Sequence, residues 1–145
     1  MNHTIMKSPI LSLAIVSTLA LAMLTASADE KKMDPSKLPP AADQQGVTYE
    51  KDIKPIVSKS CTKCHGSEKQ KSKLRLDSLD AAIKGGENGP DIIPGKSDKS
   101  PLVYAIAHVG DEDDFMPPPE KKSHVPPLSP AQVGLIRAWI DQGAK

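Results

Sequence analysis

Five consecutive residues, Cys61-Thr62-Lys63-Cys64-His65, have types and a spacing that could do chemistry. Two cysteines three positions apart lie on neighbouring positions of one helical turn, so both sulfurs can face the same edge of a flat macrocycle. The histidine beside the second cysteine can then reach a metal at the centre of that macrocycle. The pattern Cys-x-x-Cys-His is typical of c-type haem attachment, with thioethers from Cys61 and Cys64 and His65 as the proximal iron ligand.

The same two cysteines have three other interpretations. In an oxidising compartment a free pair would be expected to form a disulfide. Zinc would need two more ligands, and the available histidines, His65, His108 and His124, follow no regular spacing. A thioredoxin-like redox pair would need a βαβ framework, which the sequence does not indicate. Haem attachment is therefore the interpretation we favour.

The first 28 residues have the pattern of an export signal. Lys7 supplies positive charge, residues 10–24 are apolar, and Ala-Ser-Ala at 26–28 matches the small-x-small cleavage pattern. We expect cleavage after Ala28, a periplasmic protein and no membrane contact after cleavage. The alternative is an uncleaved anchor, because the apolar stretch could nearly span a bilayer. Export fits the cysteine motif, because haem attachment captures two thiols that would otherwise be oxidised.

Charge is balanced overall but unevenly placed. The chain has 19 basic and 18 acidic residues, a balance that argues against nucleic acid as a partner. A basic group flanks the cysteine motif, and an acidic run follows later. Both are either solvated surface or a dipolar surface that steers a redox partner with an acidic docking face. The basic group is Lys59, Lys63, Lys69, Lys71, Lys73 and Arg75, and the acidic run is Asp-Glu-Asp-Asp at 111–114.

The part of the chain before the motif divides into two segments. Residues 29–46 are rich in Pro, Lys, Asp and Ala without apolar periodicity, which predicts an extended and flexible segment. Apolar residues then recur at helical spacing from Tyr49 to Val57, with Thr48 as a candidate N-cap. Pro55 predicts that this helix begins at Lys54 or bends. We place one domain at residues 47–145.

Three further helices and a proline-rich loop follow the motif. A small helix capped by Ser78 or Asp80 should stop at Gly85-Gly86. Ser100 before Pro101 is typical of a helix start, and that helix can end at Gly110. Residues 115–119, Phe-Met-Pro-Pro-Pro, can be neither helical nor sheet-paired. The sequence Ser-Pro-Ala-Gln at 129–132 predicts a capping box for a terminal helix that stops at Gly143. The fold class is therefore all-α.

The order of several short blocks resembles class I cytochromes c, and in particular the planctomycete-type cytochrome c domains. This resemblance implies a small all-α class I cytochrome c fold, with helices and loops wrapped around one covalently bound haem c per chain. It also implies His–Met iron and electron transfer. The blocks are Asp52-Ile53-Lys54-Pro55-Ile56, the haem motif with Gly66, Leu74-Arg75-Leu76-Asp77-Ser78, Lys84-Gly85-Gly86 with Gly89-Pro90, Pro94-Gly95-Lys96, Met116-Pro117-Pro118, and Leu128-Ser129 through Gly143.

The resemblance implies that Met116 is the sixth iron ligand, because the family places its distal methionine in the loop between the last two helices. Prolines on its C-terminal side reduce the entropy lost in holding the sulfur. The only other methionine outside the signal is Met33, which lies in the predicted flexible segment. The alternatives are a buried, gap-filling methionine, or His108 or His124 as the ligand.

Three other residues have candidate roles around the haem. In class I cytochromes c a loop proline carbonyl accepts a hydrogen bond from the proximal histidine, and the resemblance assigns this role to Pro90. Arg75 is the candidate for binding a haem propionate. We expect Trp139 in the core between the first and last helices, with propionate binding through its indole N–H as the alternative.

Together these features predict a periplasmic mono-haem c-type cytochrome that shuttles single electrons between redox partners, as a monomer and not as an enzyme. Six-coordinate iron leaves no vacant position for a substrate. The alternative is a small haem protein with peroxidase or gas-binding activity at a distal site that opens. A zinc-containing or disulfide-stabilised interaction module is the third possibility.

Overall fold

The computed structural model describes residues 33–119 and 123–145. The predicted signal peptide, residues 1–28, lies outside the described residues. Four α-helices are present in the described part, joined by short 3₁₀ and π turns, and the only β pairing there consists of two isolated bridges. The all-α prediction is therefore confirmed. The helices are α1 (Lys54–Ser60), α2 (Leu79–Lys84), α3 (Pro101–Ala107) and α4 (Pro130–Asp141).

The first helix begins where Pro55 predicted, at Lys54, after a separate π-helical turn over Tyr49–Ile53. Lys54 N–H donates to the carbonyl of Tyr49, five residues earlier, which widens the backbone just before the proline. Thr48 is the N-cap residue of this turn, but its side chain makes no capping bond. The carboxylate of Asp52 instead accepts the Thr48 N–H at 2.9 Å.

Helix α3 starts after Ser100, as expected, but without the expected side-chain cap. The hydroxyl of Ser100 is fully buried; it donates to Lys96 O and accepts from Ile93 N–H, both at 2.9 Å. The Ser100 hydroxyl, predicted to cap the helix, therefore bonds to the preceding loop instead. The helix also ends earlier than predicted, at Ala107, because His108 adopts the left-handed conformation with φ 54°.

Helix α4 has the predicted capping box. Ser129 Oγ accepts the Gln132 N–H at 3.3 Å, and Gln132 Oε1 accepts the Ser129 N–H at 2.9 Å. The core lies between this helix, α3 and the π turn, and Trp139 is buried in it as predicted. Its ring contacts that of Tyr49 with centroids 5.9 Å apart. The indole N–H donates to Lys145 O at 2.9 Å, so this group is not available for a propionate.

The segment predicted to be flexible, residues 29–46, differs from that expectation from Leu38 onward. Leu38 is buried in the core, and Ala42 N–H donates to Gly134 O at 2.9 Å. Arg137 Nη1 also donates to Pro39 O. A Cβ on Gly134 would lie 2.6 Å from Pro40 O, so the missing side chain lets this segment lie directly on α4. Sequence periodicity gave no sign of these contacts, because the segment packs without regular secondary structure.

Within the described residues no helix is both long enough and apolar enough to cross a membrane.

Candidate functional site

The cysteine–histidine motif forms one helical-type turn directly after α1. Cys61 N–H donates to Val57 O at 2.7 Å, which extends the hydrogen bonding of the helix. Cys61 O then accepts two N–H groups, from Cys64 at 3.0 Å and from His65 at 2.9 Å. The motif thus follows the helix rather than lying inside it. The single turn that the spacing predicted is present.

Both cysteines are free thiols and partly buried. Cys61 packs against the hydrophobic core, and this burial raises its thiol pKa to about 11. Because the thiolate is the form that attacks disulfides, a thiol with so high a pKa is a poor partner in disulfide exchange. Burial of the Cys61 thiol therefore disfavours thiolate-driven disulfide exchange at this residue.

His65 is buried, and its Nδ1 has no hydrogen-bond partner. Burial is the largest influence on its pKa and lowers it, against opposing effects from the backbone of Leu74 and Lys71 and the charge of Asp91. The lowered pKa favours the neutral ring, the form that ligates metals. A buried polar atom without a partner costs about 1–3 kcal/mol. The unpaired Nδ1 fits an imidazole that would bind a metal through its other nitrogen and donate from Nδ1 to an acceptor.

The glycine–proline loop at 85–91 packs against the segment after the motif, which in turn bonds to the backbone of His65. His65 O accepts the Leu76 N–H at 2.8 Å, and a Cβ on Gly86 would lie 3.3 Å from the Cβ of Leu74. Gly85 has φ 79°, and a Cβ there would lie 2.3 Å from Gly89 O, so only glycine allows the loop to fold back on itself.

Pro90, the predicted acceptor for His65, is exposed at the end of this fold-back. The described structure contains no hydrogen bond from His65 Nδ1 to the Pro90 carbonyl, since that nitrogen is unpartnered. Pro90 therefore stays a predicted acceptor.

Met116 lies in the loop after α3, as predicted, and is half-buried against the core. Its N–H donates to Ala105 O at 3.0 Å, which attaches the loop to that helix. His108 stacks on Phe115 and approaches Pro117 O at 3.1 Å, contacts that the sequence gave no sign of. The structure thus joins Cys61, Cys64 and His65 in one turn, whereas Met116 stays a predicted ligand.

The two histidines that compete with Met116 differ in their surroundings. The His108 ring is already engaged by Phe115 and Pro117, as expected of a packed histidine. His124 is exposed, as expected of a loop histidine.

Arg75, the predicted propionate partner, forms a two-pronged ion pair with Asp77, with distances of 3.0 Å from Nε and 2.8 Å from Nη2. This pairing raises the pKa of Arg75 and lowers that of Asp77. Two of its three nitrogens are therefore engaged by a neighbouring carboxylate. Propionate binding by Arg75 stays a prediction.

Zinc was one alternative for the motif. In residues 33–119 and 123–145, no three His, Cys, Asp or Glu side chains form a group that could hold a metal ion. The described residues therefore add no zinc ligands to Cys61, Cys64 and His65.

Within the described residues, the Cys-x-x-Cys-His turn lies in an all-α fold and contains a buried histidine, an arrangement that a c-type haem site would need. Residues 61–120 match the sequence model of the family described as planctomycete cytochrome C. The matched segment begins at Cys61 and includes Pro90 and Met116, so the resemblance to planctomycete-type cytochrome c is confirmed over this part of the chain. No curated protein and no solved structure matches the chain.

Proposed function

We propose that this chain is a periplasmic, mono-haem c-type cytochrome that transfers single electrons between redox partners. The observation that carries the proposal is the buried His65, unpartnered at Nδ1, in the same turn as two free thiols. The family match over residues 61–120 supports the same assignment.

Cys61 and Cys64 would hold the haem covalently. Each thiol would add across one vinyl group of the haem: the S–H bond and the vinyl π bond would break and C–S and C–H bonds would form, so no oxidant would be needed. Both thiols are free and lie in one turn, as this double attachment requires. The bound haem supplies the one-electron chemistry.

His65 would ligate the iron through one ring nitrogen and donate from the other to a backbone carbonyl, with Pro90 as the acceptor. Met116 would be the second protein ligand of the iron. Its loop is attached to α3 by the bond from Met116 N–H to Ala105 O, which restricts where the sulfur can go. Methionine ligation would favour reduced iron and raise the reduction potential. With His65 and Met116 both bound to the iron, the site would serve electron transfer rather than catalysis.

The lysines around the motif support a proposal about the partner. Five of these lysines are exposed: one on α1, one inside the motif and three in the segment that follows it. Exposed charges of one sign around a redox site attract a partner of opposite charge and speed association. We therefore assign the acidic docking face to the partner, which this chain would meet as a monomer. The five are Lys59, Lys63, Lys69, Lys71 and Lys73.

The experiment is an absorption spectrum of exported, matured protein in oxidised and reduced forms, compared with a Cys61→Ala/Cys64→Ala variant. The account predicts a spectrum of thioether-linked haem with methionine ligation, and loss of covalent haem in the variant. A colourless protein that binds zinc would overturn it.

The Met116→Ala variant tests the distal ligand separately. Without the thioether, the reduction potential should fall and added ligands should bind. An unchanged potential together with unchanged ligand binding would show that Met116 is not the ligand.

A further inference from the structure

His108 is not among the residues proposed to hold the haem, but it has a structural role at the end of α3. It caps the C-terminus of α3 in the left-handed conformation, with φ 54° and ψ 46°. Its backbone N–H donates to carbonyls of the last helical turn. This conformation turns the chain away from the helix and starts the connection that leads to Met116.

The side chain of His108 contacts both neighbours of Met116. Its Nε2 lies 3.1 Å from Pro117 O, and its ring stacks on Phe115 with centroids 4.6 Å apart and planes inclined by 10°. A carbonyl oxygen can only accept a hydrogen bond, so Nε2 carries the proton in this contact. The residues before and after the methionine are thus both held by one imidazole.

Met116 itself is held to the same helix end, because its N–H donates to Ala105 O at 3.0 Å. Three contacts therefore attach three consecutive residues, 115–117, to the last turn of α3 and its capping residue. No proline ring by itself provides this attachment, since prolines restrict the loop's shape but not its position on the helix.

We propose that His108 is a positioning residue for Met116, which holds the loop so that the thioether is presented for ligation. The inference rests on the proposed function, in which Met116 is the distal ligand. A thioether is a neutral and weak ligand, so its occupancy of the axial position depends on how little order it must still gain on binding. His108 supplies that order from outside the coordination sphere.

The test uses the full, haem-loaded chain and two replacements at the same backbone position. His108→Phe keeps an aromatic ring for Phe115 but removes the donor to Pro117. His108→Gln keeps an N–H donor of similar reach. Both place a non-glycine side chain in the same left-handed conformation, so that cost is shared. His124→Phe, at an exposed loop histidine, is the matched control.

The readouts are the methionine-to-iron absorption band of the oxidised protein, the reduction potential and the affinity for added imidazole, which competes with Met116. In His108→Phe we expect a weaker band, a lower potential and an imidazole affinity raised about threefold to tenfold, the factor that one hydrogen bond corresponds to. His108→Gln keeps the donor but loses the stacking on Phe115, so it should change in the same direction and by less than His108→Phe. His124→Phe should not differ from the parent protein.

Two further variants separate the possible failures. Phe115→Leu removes only the stacking and should change imidazole affinity in the same direction, which provides a test if His108→Phe does not fold. If Met116→Ala raises imidazole affinity while His108→Phe and Phe115→Leu leave it unchanged, the role of His108 is overturned and the proposed function stands. If Met116→Ala changes nothing, ligation by Met116 fails, and the positioning role of His108 fails with it.

Discussion

At the scale of single residues, two buried polar groups near the motif differ in whether they have a hydrogen-bond partner. The Tyr49 hydroxyl is buried and donates to Leu76 O at 2.8 Å, and Leu76 N–H donates to His65 O. Burial is the main reason that the pKa of Tyr49 rises to about 12, so the hydroxyl stays protonated and keeps donating. Tyr49 thus supports the backbone that supports His65, whereas Nδ1 of His65 has no hydrogen-bond partner.

Replacing Tyr49 by Phe should destabilise the fold by about 1–3 kcal/mol, because the buried carbonyl of Leu76 would lose its donor. Tyr104→Phe is the control: its hydroxyl donates to Asp98 O at 2.7 Å at a partly buried site, where water can replace it. The free energies of unfolding come from denaturant titrations. Equal losses in the two variants would refute the supporting role of Tyr49.

Residue types and spacing predicted that Cys61, Cys64 and His65 share one turn, because positions three and four apart meet in a helical turn. Their haem-binding roles stay predictions. The environment of His108 could not be predicted in this way. Its contacts with Phe115 and Pro117 span seven and nine positions and depend on how the loop folds back on α3. The ion pair between Arg75 and Asp77 was not predicted either, since it depends on side-chain geometry that the sequence does not determine.

At the scale of elements, helix starts show where local sequence signals succeed and where they fail. The capping box at Ser129 formed as predicted, since it needs only residues within one turn. Ser100 carries the same type of signal, but a tertiary contact with the preceding loop uses its hydroxyl. The region 38–46 was misjudged for a similar reason, because its contacts with α4 are long-range.

Gly134→Ala tests the packing of that segment on α4. An alanine in a helix interior is normally about 1 kcal/mol more favourable than glycine. Here the added Cβ would lie 2.6 Å from Pro40 O, so the segment would have to move away. We therefore expect a lower melting temperature, measured by circular dichroism. A higher melting temperature would show that residues 38–46 are not held against the helix.

The start of the π turn gives a prediction about pH. The Thr48 N–H bond is the main reason that the pKa of Asp52 lies below its usual value, so the folded state favours the carboxylate. Stabilisation by this carboxylate is therefore complete above its unfolded pKa of about 3.9 and is lost as the pH falls through the lower folded pKa.

Asp52→Asn should accordingly be less stable than the parent protein at neutral pH, and the difference should shrink as the pH falls below about 3.9. Melting temperatures at a series of pH values between neutral and strongly acidic would measure this. A difference that stays constant with pH would contradict the carboxylate's role.

At the scale of the whole molecule, charge placement makes a prediction about electron transfer. Lys63 and Lys71 are both exposed, in the motif and shortly after it. Replacing them by glutamate reverses their charge, which should slow oxidation by an anionic reagent such as ferricyanide and speed reaction with a cationic one. The effect should weaken as salt is raised, because surface charges are screened. Lys99→Glu, outside that group of lysines, is the control. If stopped-flow rates change in the same way with the anionic and the cationic reagent, the proposed docking surface is contradicted.

The most direct test of the central claim is the mass of the mature polypeptide, made in a host able to mature c-type cytochromes and measured after denaturation. Denaturation removes a haem held only by ligation, whereas thioethers from Cys61 and Cys64 retain it. The account predicts a chain carrying the mass of one haem, and a Cys61→Ala/Cys64→Ala chain carrying none. A wild-type chain without added haem mass would contradict it.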